Sequence, residues 1–504
     1  MRKRNKFSLS YYKLFTCKMG YILPIGLTEV IPGDTIRHAT GLFMRLAPML
    51  APVMHPCHVT IHTWYVPLRL IWDEFEDFIT GGPDGLNTSV FPTVTAPSGG
   101  FAVGSLADYL GVPPKVGGLE ISALPFRAYN LIYNEWYRDQ DLETEIPFST
   151  DSGPDTETAL NLMRGDWERD IFTTARPWPQ KGMQVNVPVN APANVVGSVR
   201  RASSGQGYPS FCSENGASSQ VAALATSGSS SQPYSIPAQL VNQSATGIYA
   251  GKLLWDNPGL EATYATDSMS VDINQLREAF ALQRFEEHRA MYGSRYVEYL
   301  RYLGIKASDA RLQRPEYLGG GRQTIQFSEV LQTAEGIDPV GTLRGHGIAS
   351  MRSNRYRRFI EEHGYILSFL LVRPKSIYMQ GVPRTWLRRV KEDFWQKELE
   401  HIGQQEVYTQ ELYAAAEKDK VFGYQNRYDD YRQHWSSVSG EFRDILNYWH
   451  MAREFANEPV LNADFISAVP TERIFAAQDN DQLYCLANHS IQARRLISRF
   501  GNPI

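Results

Sequence analysis

Hydrophobic and polar positions alternate near the start of the chain in a pattern that predicts a β-strand. Over residues 57–65 a period of two divides the side chains into two sets, one for each face of a strand. One set is Cys57, Val59, Ile61, Thr63 and Tyr65, and the other is His58, Thr60, His62 and Trp64. A Pro32-Gly33 turn precedes this segment, so we predict that residues 21–70 are rich in paired strands.

Other segments have patterns typical of buried strands or of helices. Residues 362–374, EHGYILSFLLVRP, contain a continuous apolar run bounded by Gly and Pro, which predicts a buried strand. Helices are predicted over residues 72–80, 124–142, 272–303 and 386–400. In the third of these, Asp272 and Gln275 are spaced as a capping box, and apolar residues then recur at helical intervals.

Residues 183–251 differ from the rest of the chain because they carry almost no charge. Arg200, Arg201 and Glu214 are the charged residues of this segment, and Ser, Ala, Asn, Gln and Gly dominate it. Such a composition cannot bury enough apolar surface to form its own core. A long loop of this kind is usually functional or disordered, and we interpret it as an insertion.

Two basic clusters lie at opposite ends of the sequence. They are Arg2, Lys3, Arg4 and Lys6 at the start and Arg494, Arg495 and Arg499 at the end. The whole chain has a formal net charge of −4, whereas a protein that condenses nucleic acid unaided is usually basic. Residues 1–20 are therefore either a solvated tail or an arm that faces DNA, and any contact with nucleic acid is local.

The sequence gives no specific signal of catalysis or of metal binding. It contains no G-x-S-x-G, P-loop, H-E-x-x-H or G-x-G-x-x-G motif. His58 and His62 would lie about 13 Å apart on a strand, which is too far for one zinc ion to bind both. The carboxylates of residues 73–77 are most simply explained by a helix dipole or an interface rather than by acid–base chemistry or a Ca²⁺ site. We predict no enzyme activity, no cofactor and no metal.

The cysteines and the N-terminus bear on the compartment. Cys17, Cys57, Cys212 and Cys485 are far apart and form no C-x-x-C motif, so reduced thiols are expected. The basic start MRKRNKF is not followed by an apolar segment and is not a signal peptide. No run of 18 apolar residues predicts a transmembrane helix. We expect a protein made and kept in the cytoplasm unless it leaves the cell inside a particle.

A series of sequence blocks, in fixed order along the chain, carries a family resemblance. The blocks are Pro24–Gly82 (beginning PIGLTEVIPGDTIRHATG), Leu124–Leu142, Phe172–Gly182 (FTTARPWPQKG), Val271–Phe280 (VDINQLREAF), Asp309–Gly321 (DARLQRPEYLGGG), Glu362–Pro374 and Val421–Arg432 (VFGYQNRYDDYR). Together they closely resemble the major capsid proteins of the Microviridae, small single-stranded DNA phages, and specifically the gokushovirus branch. We interpret Asp309–Gly321 as a fixed loop and its three glycines as a tight corner. Residues 183–251 and the Arg-rich residues 344–358 lie outside the resemblance.

The resemblance implies a mainly β fold: a single eight-stranded antiparallel jelly roll of the viral capsid type, with large loop insertions that contain the α-helices. It implies that 60 copies assemble into a T=1 icosahedral shell around circular single-stranded DNA. The implied partners are the chain itself, a small basic DNA-packaging protein, a pilot protein and an internal scaffolding protein. The virion is the implied location, after assembly in the host cytoplasm.

These expectations define domains and candidate residues. We expect a basic arm over residues 1–20, one jelly-roll domain over residues 21–504, and an outer protrusion near the threefold axis formed by residues 183–251. The arginines and lysines of both basic clusters are candidates for DNA contact, and Trp136 and Trp178 are candidates for subunit interfaces.

Alternatives stay open at this point. A lectin-like or carbohydrate-active jelly-roll protein would also fit a large strand-rich chain, although no pair of carboxylates stands out. The low-charge insertion could bind a host cell-surface receptor, clamp a trimer or act as a spacer.

Overall fold

The computed structural model describes residues 4–84, 86–183, 185, 273–293, 295–305, 308–333 and 339–499, together with the backbone of short strands between residues 193 and 264. The chain divides into two compact units. One comprises Met1–Gly182 and Phe285–Ile504, and the other is Met183–Arg284. The larger unit contains every strand of the two main sheets.

The strands and helices are numbered in chain order. The strands are β1 (Asn5–Ser8), β2 (Tyr11–Cys17), β3 (Leu23–Val30), β4 (Thr35–Leu46), β5 (Cys57–Pro67), β6 (Thr93–Thr95), β7 (Glu120–Ser122), β8 (Ala193–Gly197), β9 (Phe211–Ser213), β10 (Asn242–Ser244), β11 (Gly247–Tyr249), β12 (Leu253–Trp255), β13 (Leu260–Tyr264), β14 (Glu316–Thr324), β15 (Gln326–Leu331), β16 (Leu343–Arg352), β17 (Tyr356–Phe359), β18 (Gly364–Pro374), β19 (Gln404–Tyr408), β20 (Val421–Asn426) and β21 (Leu483–Arg495). The helices are α1 (Phe75–Thr80), α2 (Leu106–Leu110), α3 (Leu124–Trp136), α4 (Ile273–Tyr292), α5 (Tyr296–Tyr302) and α6 (Ala463–Ile466).

Two antiparallel sheets form the centre of the larger unit. The 7-stranded sheet has the order β1-β21-β4-β16-β15, with β2 also paired to β21 and β17 also paired to β4. The 4-stranded sheet has the order β14-β5-β18-β3. Along the chain, β2, β4, β16 and β21 belong to the first sheet, and β3, β5, β14 and β18 belong to the second. This alternation between sheets is the predicted eight-stranded jelly roll.

The core lies between the two sheets, with a second apolar layer outside the smaller one. Cys17, Met44, Val59, Leu370 and Cys485 come from strands of both sheets and share one buried cluster. A separate cluster packs α3 against the outer side of the smaller sheet. Strand β18 is therefore covered on both faces, which explains its continuous apolar sequence.

Long connections carry the helices, as predicted. Residues 68–315 join β5 to β14 and contain α1 to α5, and residues 375–482 join β18 to β21 and contain α6. Helix α1 ends at Gly81, which has a left-handed φ of 86° and fits a helix terminus better than other residues do. The predicted long helix over residues 272–303 is instead two helices, because Gly293 has a φ of 96° between them.

Some predictions about local structure were wrong. The proposed arm, residues 1–20, is not separate from the jelly roll, because β1 and β2 pair with β21. Residues 386–400 form short 3₁₀ turns instead of a helix. The predicted loop Asp309–Gly321 runs into strand β14, and its glycines lie in the sheet rather than at a corner.

Gly320 of β14 is required by a close approach to β5. A bulge between Tyr317 and Gly319 shifts the register of the two strands. A Cβ atom at Gly320 would overlap the carbonyl oxygen of Ile61 and would lie 2.6 Å from the hydroxyl oxygen of Tyr317. The edge of the smaller sheet can therefore form only if position 320 has no side chain.

We predict that Gly320→Ala lowers the free energy of unfolding by about 1–3 kcal/mol, because overpacking forces the two strands apart. Urea unfolding followed by tryptophan fluorescence measures the change. Gly99→Ala is the matched control, since no heavy atom lies within 4 Å of a Cβ there. Equal urea midpoints for the two variants would contradict the prediction.

Candidate nucleic-acid interface

Lys6 and Arg494, one residue from each of the basic clusters predicted from the sequence, meet on the 7-stranded sheet. Strand β1 pairs with the end of β21, so that Asn5 lies opposite Arg495 and Lys6 lies opposite Arg494. Lys6 and Arg494 are both exposed and point away from the core, because their neighbours along each strand point inward. Residues separated by most of the sequence thus form one surface.

Further cations extend this surface across the sheet. Arg37 of β4 lies between Gln492 of β21 and Arg357 of β17. Arg45 of β4 lies beside Tyr484, and Arg352 of β16 lies beside Gly41. We call the outward side of the 7-stranded sheet the basic face, with exposed cations at Lys6, Arg37, Arg45, Arg352, Arg357 and Arg494. On the described strands, no outward position of this sheet holds Asp or Glu.

Exposed aromatic and aliphatic side chains occupy the same face. Tyr12 and Leu14 of β2 are each 71% exposed, and Tyr484 is 44% exposed. Leu14 and Phe43 flank Leu486 across the sheet, and the Arg45 guanidinium lies 5.5 Å from the centre of the Phe43 ring. Alternate positions of the strands therefore present cations next to accessible rings.

The other predicted DNA-contacting residues are placed differently. The Arg4 guanidinium donates hydrogen bonds to the Gly33 carbonyl and the Thr35 hydroxyl, both at 3.0 Å. Arg499 is exposed beyond the end of β21. Arg2 and Lys3 lie outside the described residues.

Arg495 has a structural role instead. Its Nε atom lies 3.0 Å from Oδ2 of Asp34, which is fully buried, and its Nη2 atom donates to the Glu29 carbonyl at 2.8 Å. Burial raises the pKa of Asp34, although Arg495 and the Ile31 N–H act in the opposite direction. Arg495 is therefore engaged within the subunit, and its contact with DNA stays a prediction.

Comparison with known proteins is consistent with this fold. The family model described as "Capsid protein (F protein)" matches residues 1–504. The chain belongs to this phage capsid protein family. Capsid protein VP1 of Bdellovibrio phage phiMH2K is 38% identical over 496 residues, covering 93% of this chain and 89% of the relative. Capsid protein VP1 of Chlamydia phage 1 is 32% identical, covering 96% of this chain and 92% of the relative.

A third relative, capsid protein VP1 of Spiroplasma virus 4, is 30% identical over 92% of this chain and 87% of its own length. The resemblance to the gokushovirus branch of the Microviridae is confirmed, and the chain is a structural major capsid protein. The lectin-like alternative has no support.

The sequence pattern alone did not reveal most of this capsid protein's basic face. Arg352 and Arg357 belong to the Arg-rich residues 344–358, whose role the resemblance left open. In the structure this segment forms β16 and β17, and alternation places part of its charge on the basic face. The signal available from sequence was the period of two in this segment and in residues 35–46.

The predicted interface tryptophans are partly engaged within the subunit. The Arg314 guanidinium lies 4.0 Å from the centre of the Trp136 ring, the Trp64 ring lies 4.6 Å away on centroids, and Nε1 donates to the Pro315 carbonyl. Trp178 is half-buried beside Lys181. Their interface role stays a prediction, and Trp386, which is 79% exposed, is a stronger candidate by accessibility.

The described part of the chain also bears on metal binding and on membranes. No group of three His, Cys, Asp or Glu side chains there could hold a metal ion. His62 Nδ1 instead lies 2.8 Å from the Tyr137 hydroxyl. None of the helices in the described ranges is long and apolar enough to cross a membrane.

We predict that Arg495→Ala destabilises the capsid subunit by about 3 kcal/mol, because it leaves the Asp34 carboxylate buried without its partner. Arg494→Ala, one residue away and exposed, should change stability by less than about 0.5 kcal/mol. Chemical denaturation of the two variants measures the difference. Asp34→Asn should restore much of the stability that Arg495→Ala removes, and failure of both the destabilisation and the rescue would refute the ion-pair role.

Proposed function

We propose that 60 copies of this capsid protein form a T=1 shell that encloses single-stranded DNA, with the basic face turned toward the genome. The observation that carries the proposal is the sign and arrangement of charge on the 7-stranded sheet. Its outward positions hold exposed Lys and Arg with no Asp or Glu among the described strands, while the whole chain is acidic by 4 charges. A surface so different from the average suits a polyanion.

The spacing of these groups fits a flexible strand rather than a duplex. Neighbouring strands of a sheet lie about 4.8 Å apart, and alternate residues of one strand lie about 7 Å apart. Cations at such intervals can follow successive phosphates of a bent single strand. The exposed rings of Tyr12, Phe43 and Tyr484 can stack on bases, which adds affinity without sequence preference.

The negative net charge limits how much DNA one subunit can hold. We therefore propose that the small basic packaging protein supplies part of the neutralising charge, and that the pilot and scaffolding proteins act during assembly in the host cytoplasm. Membership of the capsid protein family points to a structural role, and the absence of enzyme activity is part of the proposal.

The low-charge insertion is proposed to face outward and to contact the host cell surface. Of its residues 183–251, the structure describes Met183, Val185 and the backbone of short strands, and composition alone supports this assignment. A solvated loop almost free of charge suits an exposed position. Many copies on one shell would convert weak contacts into avidity.

We predict that the purified protein, expressed alone or with its scaffolding partner, assembles into closed particles of uniform size. A shell subunit must bury large surfaces against several neighbours. Sedimentation velocity and negative-stain electron microscopy measure the outcome. A protein that stays monomeric at high concentration with every assembly partner present would refute the shell proposal.

We predict that Arg37→Glu combined with Arg357→Glu weakens binding of an oligo-dT strand, because two adjacent cations of the basic face become anions. The salt dependence should also fall, by roughly 0.7 in log–log slope for each phosphate that is no longer neutralised. Fluorescence anisotropy across a series of salt concentrations measures both effects.

The matched control for that experiment is Lys391→Glu combined with Lys418→Glu. These side chains are 86% and 58% exposed and lie in the connection between β18 and β21. The control changes the net charge by the same amount away from the basic face. Equal decreases of affinity in both double variants would show that only net charge matters and would overturn the assignment of the face.

A further inference from the structure

Two buried histidines join the sheets of the jelly roll at one point. His38 of β4 is 2% exposed and His489 of β21 is fully buried. His38 Nε2 lies 3.2 Å from His489 Nδ1, and the Thr40 hydroxyl lies 3.1 Å from both nitrogens. His489 Nε2 lies 3.0 Å from the carbonyl oxygen of Ile25 in β3, a strand of the opposite sheet.

The hydrogen-bond partners define which nitrogens carry protons. A carbonyl oxygen can only accept, so His489 Nε2 donates to Ile25. In a neutral ring His489 Nδ1 must then accept, from His38 Nε2–H or from the Thr40 hydroxyl. His38 Nδ1 lies 3.0 Å from the Tyr356 hydroxyl and accepts from it when His38 Nε2 carries the proton. The result is a chain of hydrogen bonds from Tyr356 through His38 and His489 to Ile25 that joins the two sheets.

The residues around the histidine pair pack closely and supply no negative charge that would balance a proton on either ring. The Tyr11 ring of β2 stacks on His489 with centroids 4.7 Å apart, and a Cβ at Gly26 of β3 would lie 2.6 Å from His489 Cε1. The titratable groups that face the pair are Tyr11 and Lys13 from β2 and Tyr356 from β17. The ammonium group of Lys13 opposes protonation of His489. Among the described contacts of the two rings, no carboxylate is present.

Burial lowers the pKa of His38 to about 3 and the pKa of His489 to about 4. In the unfolded chain both would titrate near a pKa of about 6.5. Between these values the unfolded state binds more protons than the folded state. Stability is therefore complete above about pH 6.5 and falls as the pH drops toward 4. At pH 5 each histidine should lower the folding equilibrium constant by about 30-fold.

We propose that the His38–His489 pair is an acid-sensitive lock that holds β3 of the smaller sheet against β4 and β21 of the larger one. A proton added to either ring would create a buried imidazolium beside the second imidazole, with no carboxylate among the described contacts, and only local separation of the sheets would hydrate this charge. The bond from His489 Nε2–H to the Ile25 carbonyl is kept in both protonation states. The lock opens by separating the two sheets locally at β3 and β21. It regulates the subunit itself, and only its consequence for particle integrity rests on the proposed shell.

Hydrogen exchange measured by mass spectrometry on the purified subunit tests the lock, with intrinsic exchange rates corrected at each pH. Between pH 7 and pH 5, the protection of amides in residues 23–30 and 483–495 should fall at least tenfold more than that of amides in residues 421–426, a strand without histidine. The measurement uses the wild-type chain first, so it does not depend on whether a variant folds or a shell forms. A uniform fall in protection, or none, would overturn the proposal.

His489→Gln supplies the specific comparison, because a glutamine amide can donate to the Ile25 carbonyl but does not titrate. In this variant the local fall in protection at pH 5 should shrink by about 30-fold, the share that titration of His489 contributes. His62→Gln is the control, since burial also lowers the pKa of His62 to about 4 but this residue lies outside the lock. It should reduce the acid dependence of overall stability and leave the local opening at β3 and β21 unchanged. An opening in His489→Gln as large as that in the wild-type chain would refute the lock.

Discussion

The pairing of the last strand with the first strands and with β4 is the constraint on which most of this structure depends. Strand β21 lies between β1 and β2 on one side and β4 on the other, and its register with β4 runs from Leu483 opposite Leu46 to Arg494 opposite Thr35. This register places Arg495 against Asp34 and His489 against His38, and the register of β21 with β1 places Arg494 opposite Lys6. A slip of one residue would turn every one of these side chains to the wrong face.

The sequence was most informative where one face of an element is apolar and the other is not. The strands at residues 57–65 and 362–374 could be recognised because packing against the core leaves a simple hydrophobic pattern. For β18 the pattern is a continuous apolar run, because α3 covers its other face. The first strands were not recognised because Tyr12 and Leu14 are apolar yet point outward, which removes the contrast between faces. The outward ring of Tyr12, which made strand β2 hard to recognise, is also one of the exposed aromatic groups of the basic face.

Other elements could not be predicted because their partners lie far away in sequence. Residues 386–400 have helix-forming composition, but Arg388 is held by Asp430 and the Gln396 N–H donates to the Tyr428 hydroxyl, so tertiary contacts outweigh local propensity. Strand β14 was hidden by its glycines, which disfavour strands in general, and Gly320 is explained only by the close approach of Ile61. The role of Arg495 likewise became visible only with Asp34 beside it.

The net charge of the chain does not show how acidic and basic residues are distributed over its surface. Residues 70–114 contain no Lys or Arg, while the outward positions of the 7-stranded sheet contain no Asp or Glu among the described strands. A net charge of −4 is therefore compatible with a strongly basic surface, because interactions between distant exposed charges are screened within about 8 Å at physiological salt. The basic face requires separation of charge within the subunit rather than an excess of basic residues.

Strand β21 connects the basic face to the buried histidines through simple alternation. Arg494 and Tyr484 point outward, whereas His489 and Ile491 point into the core. A polyanion bound outside stabilises the folded strand by mass action, and a proton bound inside destabilises it. Since both act on the same folded strand, the two equilibria are linked thermodynamically even though the groups never touch. The period of two that builds the sheet thus places the proposed polyanion site and the buried histidine on opposite faces of one strand. Binding of a polyanion and binding of a proton then have opposite effects on the stability of that strand.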